Sequence, residues 1–181
     1  MKKYALLSIV VMMLLVVGCG DSNDMSEEDA GMVYGAVSSA VAKAQGSAMM
    51  SMSGMNAKIV EGDGFTYNEE DGSFSGTVES LEGGSADVSG TVSEGEGGQT
   101  MTFEMVFNDY VSQGITLNGT ITLEYSGSAT SYTMKYSGDI EASGDVEGSV
   151  DFDLTVSVAD GQLTFEGTVG GYDVSGSASY S

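Results

Sequence analysis

The sequence predicts a mainly β fold, an antiparallel up-and-down meander of about eight to nine strands, curled into a barrel or half-barrel and preceded by one N-terminal helix. Three observations support this class. Apolar and polar residues alternate from about residue 57 onward, glycine-containing turns separate the alternating stretches, and no helical spacer lies between them. Strands joined by short turns pair antiparallel, and a sheet of this width rarely stays flat.

The helix is predicted over about residues 26–45. Ser26 is a favourable N-cap residue, and Asp29 stands three positions later, where a capping box more often has Glu. The next stretch, "GSAMMSMSGMNA", is rich in methionine, and we expect a flexible linker there that ends near residue 56. Small apolar residues recur at helical spacing and suit packing on a sheet: Val33, Val37, Ala40, Val41 and Ala44.

Period-two alternation predicts the strands one by one. In "ITLNGTITLEY", for example, the apolar residues from Ile115 to Tyr125 occupy odd positions, and Thr, Asn and Glu occupy even ones. A strand of this kind buries one face and exposes the other. The predicted strands are 57–67, 73–79, 86–93, 99–108, 114–125, 131–140, 146–158, 162–169 and 172–179.

Parity predicts where the hairpins turn. A two-residue loop joins paired residues whose numbers have an odd sum, so the apolar face switches between even and odd numbers across the loop. Such switches occur at residues 160–161 and 170–171, and another indicates an even-length loop between Tyr125 and Tyr132. The face does not switch near Gly144, so we expect an odd-length loop there with Gly144 at a bulge position.

Glycine recurs on the apolar face of the predicted strands. Glycine inside a strand weakens it, so repeated use indicates strong coiling of the sheet or close approach of the helix. The glycines on this face are Gly76, Gly90, Gly119, Gly138, Gly148 and Gly167.

Residues 1–18 have the features of a secretory signal. Two lysines near the start precede an apolar run that is too short for a comfortable membrane span, which takes about 20 residues. The following residues, Val16-Val17-Gly18-Cys19, resemble the lipobox of bacterial lipoproteins. The resemblance implies cleavage before Cys19 and attachment of lipid to this cysteine.

This organisation divides the chain into a signal peptide (1–18), a lipidated Cys19 with its tether (19–25), a helix and Met-rich linker (26–56) and a β domain (57–181). Acyl chains contribute about 0.8 kcal/mol per buried CH₂ and hold a domain at a membrane without a protein span. We therefore expect the protein to reside in the bacterial cell envelope, at the outer membrane or cell surface. The membrane is then a partner through the lipid on Cys19. The alternatives are an ordinary signal peptide with a chance cysteine and an uncleaved anchor.

Acidic residues dominate the charge of the chain. It has 27 Asp and Glu residues against five Lys and no Arg, and its formal net charge is −22. Such a field repels nucleic acid, which is therefore excluded as a partner, and attracts cations or a basic protein, which are possible partners of the acidic surface. The alternative interpretation is that the charge maintains solubility in a salty environment.

Several residue types that catalysis depends on are absent from the sequence. Without His there is no Ser-His-Asp or Cys-His catalysis and no His-ligated zinc, and without Arg there is no bidentate clamp on phosphate. With Cys19 attached to lipid, no free thiol remains as a nucleophile. We therefore expect no enzymatic activity and no cofactor.

The acidic stretch "GDIEASGDVEGSVDFD" is a weak candidate for binding divalent cations. Successive residues on one strand face stand about 7 Å apart, whereas calcium takes about six to eight oxygens at about 2.3–2.6 Å. A solvated face is therefore the favoured interpretation. The candidate ligands are Asp139, Glu141, Asp145, Glu147, Asp151 and Asp153.

Two functions remain open from the sequence. In the first, the interior of the curled sheet is filled, and the domain is a structural or interaction module of the envelope. In the second, the sheet and the helix enclose a cavity that carries a lipid or another apolar ligand, which requires several hundred Å³. The first is favoured because side chains usually fill a small barrel.

Overall fold

The computed structural model of the protein describes residues 25–52, 64–68, 70–95, 98–128 and 130–179. Its elements are α1 (Glu27–Met52), β1 (Gly64–Tyr67), β2 (Ser73–Glu79), β3 (Ser85–Gly95), β4 (Gly98–Ser112), β5 (Ile115–Gly127), β6 (Tyr132–Gly144), β7 (Gly148–Ala159), β8 (Gln162–Val169), β9 (Tyr172–Asp173) and β10 (Gly176–Ser179). The strands form one antiparallel sheet in chain order from β1 to β8, and both β9 and β10 pair with β8.

The sheet is open. β1 forms one edge, β9 and β10 form the other, and within the described residues neither edge pairs with a further strand. The antiparallel up-and-down meander is therefore confirmed, and the open sheet agrees with the half-barrel of the two predicted forms. The first predicted strand, 57–67, is described only from Gly64, and residues 57–63 lie outside the described ranges.

The start of α1 forms the cap that the sequence predicts. Asp29 N–H donates to Ser26 Oγ at 3.2 Å, and Ala30 N–H donates to the Ser26 carbonyl at 2.9 Å. The Ser26 hydroxyl donates to Asp29 Oδ2 at 2.7 Å. Asp29 thus binds the cap side chain, whereas the Glu of a standard capping box binds the cap N–H.

α1 continues to Met52, well beyond its predicted end. The linker prediction is therefore wrong for residues 46–52, and the rest of the predicted linker lies outside the described residues. Ser47 and Ala48 are each only 2% exposed and extend the buried stripe of the helix. Burial of this turn offsets the local cost of Gly46, which is about 1 kcal/mol in a helix interior.

The hairpins follow the predicted parity. Residues 160–161 have φ of 51° and 74°, and residues 170–171 have φ of 58° and 79°, as two-residue type I′ turns require. The loop 128–131 has four residues, and an odd-length loop separates the paired Ala142 and Gly148. Even and odd loop lengths therefore fall where the apolar face requires them.

Gly144 does not form the predicted bulge. It ends β6 with φ of 105°, yet it pairs with Ile115 in regular register with the rest of the strand. The bulge in this region of the sheet lies in β4. Phe107 pairs with Gly119, and the register has shifted at the next pair, Tyr110 with Leu117.

The β4 bulge carries the strand beyond its predicted end at residue 108. Asp109 has φ of 50°, and its N–H donates to Asn118 Oδ1 at 2.9 Å. Asn118 Nδ2 donates back to Asp109 Oδ1 at 3.0 Å. After this pair of hydrogen bonds β4 resumes, with Tyr110 opposite Leu117, and runs to Ser112.

The last predicted strand, 172–179, forms in two parts. β9 and β10 pair with β8 in one continuous register. Between them, Val174 N–H donates to the Gly167 carbonyl at 3.0 Å and continues the ladder of backbone hydrogen bonds. Ser175 N–H, which faces away from β8 in this register, donates instead to Asp173 Oδ1 at 2.8 Å.

Side chains of α1 and one face of the sheet form a single core. We call this apolar face the inner face and the polar face the outer face. The helix contributes small residues such as Val33 and Ala40, each at most 1% exposed. The largest fully buried side chains from the sheet are Phe103, Phe107, Met105, Leu117, Ile121, Leu123, Ile140 and Leu154.

The glycines of the inner face reflect strand coiling more than approach of the helix. Gly119, Gly138 and Gly167 have φ between 121° and 143°. A Cβ on any of them would stand at most 2.3 Å from a carbonyl oxygen of the neighbouring strand. Gly148 alone of the predicted set lies against the start of the helical segment, at the Met25 side chain.

The two ends of the sheet differ in their surroundings. At the end that we call the helix-start end, the Tyr172 hydroxyl donates to the Met25 carbonyl at 2.9 Å. This end also carries the connections 80–84, 113–114, 145–147 and 170–171. The opposite end carries the connections 68–72, 128–131 and 160–161.

Gly35→Ala is expected to stabilise the protein by about 0.5–1 kcal/mol, because Gly35 is exposed within α1 and a Cβ there meets no atom within 4 Å. Gly90→Ala is the contrasting variant. Its Cβ would stand 2.5 Å from Phe74 Cζ and 2.3 Å from the Thr102 carbonyl oxygen, so we expect a loss of roughly 1–3 kcal/mol. Thermal unfolding measures both, and a destabilised Gly35→Ala protein would contradict the helix assignment.

Candidate functional site

The inner face is the first candidate, since the carrier hypothesis places a ligand there. Phe152 in β7 stacks on Tyr34 of α1, with ring centroids 6.3 Å apart and planes inclined at 28°. Between the start of α1 and β8–β9, a cleft beside Tyr34 and Tyr172 has a volume of about 40 Å³. A cleft of this size holds about one water molecule and is far smaller than a lipid site.

Tyrosines lie between the helix and the sheet. Burial raises the pKa of Tyr136 well above its ordinary value of 10.0, and the nearby Tyr34 and Tyr132 hydroxyls raise it further. Burial also raises the pKa of Tyr34, and a hydrogen bond with Ser38 partly opposes that rise. Both groups are therefore neutral at ordinary pH and belong to the packed interior.

The outer face is the second candidate, and a row of hydroxyl side chains crosses it near the opposite end. Antiparallel pairing places each member beside the next on the neighbouring strand. Ser93 Oγ stands 2.6 Å from Thr100 Oγ1, and Thr133 Oγ1 stands 3.3 Å from Ser157 Oγ. This hydroxyl row consists of Ser93, Thr100, Ser126, Thr133, Ser157, Thr164 and Ser177.

An open groove of about 700 Å³ follows the hydroxyl row. Five members of the row line it, together with glycines, Gln99, Tyr132 and one acidic residue, Glu94. The lining supplies hydrogen-bond donors and acceptors with little charge. Alternation places each of these Ser and Thr residues on a polar face, but only the register of the paired strands sets them side by side, so the row was not predicted.

The acidic candidates on the strands lie on the outer face and are exposed. Asp139 in β6 pairs directly with Asp151 in β7, whereas Glu141 and Asp153 each pair with a serine. Like charges in directly opposite positions of an antiparallel sheet repel each other and destabilise it. The structure thus brings two of the predicted carboxylates together.

The other two acidic candidates lie in the connection between β6 and β7. Asp145 N–H donates to the Gly114 carbonyl at 3.2 Å, and the Asp145 carboxylate lies over that glycine. Glu147 is exposed. Across the described ranges, no group of three or more His, Cys, Asp or Glu side chains is arranged to hold a metal ion, and cation binding by the six residues stays a prediction.

Cys19 lies outside the described residues, so lipid attachment also stays a prediction. In the part of the chain that the structure describes, no helix combines the length and apolar character needed to cross a bilayer. Comparisons of the chain with protein-family models, with curated proteins and with solved structures find no match.

The protein is expected to lose stability as the pH rises above about 10. Because the pKa of Tyr136 is raised in the folded state, its contribution is fully present below the ordinary pKa of 10.0 and is lost as the pH rises through the folded pKa. Tyr136→Phe should reduce this alkaline loss, and Tyr67→Phe, on the edge strand β1, is the matched control. Denaturant unfolding between about pH 8 and about pH 11 measures the difference.

Proposed function

We propose that this chain is a lipid-anchored, non-enzymatic module of a bacterial cell envelope that binds a basic partner protein through the acidic part of its outer face. The contrast between the two faces of the sheet carries the proposal. The described side chains of α1 and of the inner face form one buried apolar cluster. The outer face presents Asp139, Asp151 and Asp153, all exposed, on regular paired strands.

Charge repulsion on the outer face supports a cationic partner. Asp139 lies directly opposite Asp151, and like charges in that position of an antiparallel sheet repel each other. A positively charged side chain that docks over this pair relieves the repulsion between the two carboxylates. That relief contributes to the free energy of binding. The net charge of −22 also steers a basic partner toward the domain.

The lipid anchor rests on the sequence. Cys19 follows an apolar run and three small or branched residues that resemble a lipobox, and no other cysteine is present. Two or three acyl chains bind a bilayer strongly because each buried CH₂ contributes about 0.8 kcal/mol. The absence of His and Arg from the sequence supports a binding role over a catalytic one.

The interior gives little support to the alternative of a lipid carrier. The described side chains of the inner face form one continuous packed cluster, and the cleft beside Tyr34 is about 40 Å³. A carrier of lipid takes a site of several hundred Å³. Native mass spectrometry of the domain after mild extraction distinguishes the two functions, since a carrier retains an added mass.

The anchor predicts the fate of radiolabelled palmitate in a bacterium that expresses the full chain. The unsubstituted chain should take up the label and sediment with membranes, and Cys19→Ser should take up no label. Ser22→Ala, a substitution in the adjoining segment, is the matched control and should behave as the unsubstituted chain. Equal labelling of the Cys19→Ser chain would refute lipid attachment at this residue.

The acidic face predicts binding of a defined basic probe, an oligolysine peptide. Replacing Asp139, Asp151 and Asp153 by Asn should weaken binding about tenfold, or about 1.4 kcal/mol, and raised salt should weaken binding to the unsubstituted chain. The control carries the same change in net charge at scattered exposed positions: Glu28→Gln, Glu70→Gln and Asp160→Asn. Isothermal titration measures both, and equal losses in the two triple variants would show that net charge alone binds the probe.

A further inference from the structure

Leu81 is the most exposed large apolar side chain among the described residues. It lies in the connection between β2 and β3 and is 87% exposed, whereas the next such residue, Met32, is 44% exposed. Single apolar residues on a surface are common and need no explanation on their own. What distinguishes Leu81 is the way in which the connection around it is held.

Hydrogen bonds fix the loop of Leu81 to the neighbouring hairpin. The two carboxylate oxygens of Glu82 accept from the N–H groups of Gln113 and Gly114, each at 3.1 Å. These two residues form the turn between β4 and β5, with φ of 57° and 77°. The bidentate contact therefore ties the residue next to Leu81 to a rigid turn.

The remaining loop residues are also fixed. Ser80 N–H donates to the Gly84 carbonyl at 3.0 Å, and Glu82 N–H donates to Ser80 Oγ at 3.1 Å. Val111 N–H donates to the Gly83 carbonyl at 2.9 Å. Every residue of the loop except Leu81 thus makes a hydrogen bond within the protein.

Gly84 seats the loop against the β4 bulge. It has φ of 73°, and a Cβ there would stand 1.8 Å from the Asp109 carbonyl oxygen, so no larger residue fits. Hydrogen bonds and close backbone contact thus join the loop, the bulge and the turn at the helix-start end of the sheet, and Leu81 extends into solvent from this loop.

The segment that leads to Cys19 leaves the domain at the same end. Met25 is buried there, and its carbonyl accepts a hydrogen bond from the Tyr172 hydroxyl. Cys19 and Met25 are six positions apart, so the chain between them spans at most about 22 Å when fully extended. An anchored domain therefore keeps its helix-start end close to the bilayer.

We propose that Leu81 is a second membrane contact, which enters the lipid interface when the acyl chains on Cys19 are inserted and thereby orients the domain. This inference rests on the proposed function, since without the anchor nothing brings Leu81 to a membrane. Asp145 and Glu147 are exposed at the same end and would be repelled by anionic headgroups. The surface that Leu81 enters is therefore a zwitterionic one.

The absence of Trp from the chain provides a sharp test. The full-length lipidated Leu81→Trp chain carries a single indole, whose emission shifts to the blue and is quenched by brominated phosphatidylcholine if position 81 enters the interface. Thr130→Trp, in the exposed loop at the opposite end of the sheet, is the matched control. We expect a blue shift and quenching for Leu81→Trp, and neither for Thr130→Trp.

The outcomes separate this inference from the anchor. If the chains float with phosphatidylcholine vesicles but the indole at position 81 is quenched no more than the one at position 130, the anchor stands and the contact of Leu81 is overturned. If neither chain floats with the vesicles, the anchor fails and the contact fails with it. Amide exchange of residues 80–84 in the unsubstituted anchored chain provides a second measurement, and unchanged exchange on vesicles would also contradict the contact.

Discussion

The whole architecture depends on covering the inner face of an open sheet, because a sheet with one apolar face is stable only when another element buries that face. α1 is that element. It contacts β1 and β2 near one edge, β4 and β5 in the middle and β8 near the other edge. Its 26 residues form a rod about 39 Å long, and the Ala and Val residues of its buried stripe let this rod lie close to the strands.

Curling of the sheet around this helix depends in turn on glycine. Gly119 pairs with Phe107, and Gly138 pairs with Phe152, so each glycine lies opposite a large ring on the inner face. The ring fills the volume that a second side chain would need, and the positive φ of the glycine increases the local coil. Recurrent glycine and a packed interior are therefore two consequences of one arrangement, and the glycines need no ligand to explain them.

The sequence allowed most of the sheet to be predicted, since a period of two fixes the buried face of each strand and the parity of each hairpin loop. The β4 bulge was missed because Asp109 and Asn118 shift the register through hydrogen bonds that composition does not reveal. The end of α1 was misplaced because burial of Ser47 and Ala48 decides it, and burial is a property of the tertiary fold. Alternation predicted only that Asp139 and Asp151 lie on the same polar face. The register of β6 and β7 in the structure places the two residues directly opposite each other. The hydroxyl row likewise became visible only with the register of several strands together.

The two faces and the two ends together imply a direction for the anchored domain. In the proposed anchored protein the tether would join the helix-start end, the strands would point away from the bilayer, and the hydroxyl row would lie at the end farthest from it. The acidic residues of β6 and β7 lie between these ends, where a partner can approach from the side. Since the whole chain carries a net charge of −22, an anionic leaflet would repel the domain, and its orientation then depends on the short tether and on apolar contact. A long tether would lose this orientation, because the entropy of a free linker would let either end approach the membrane.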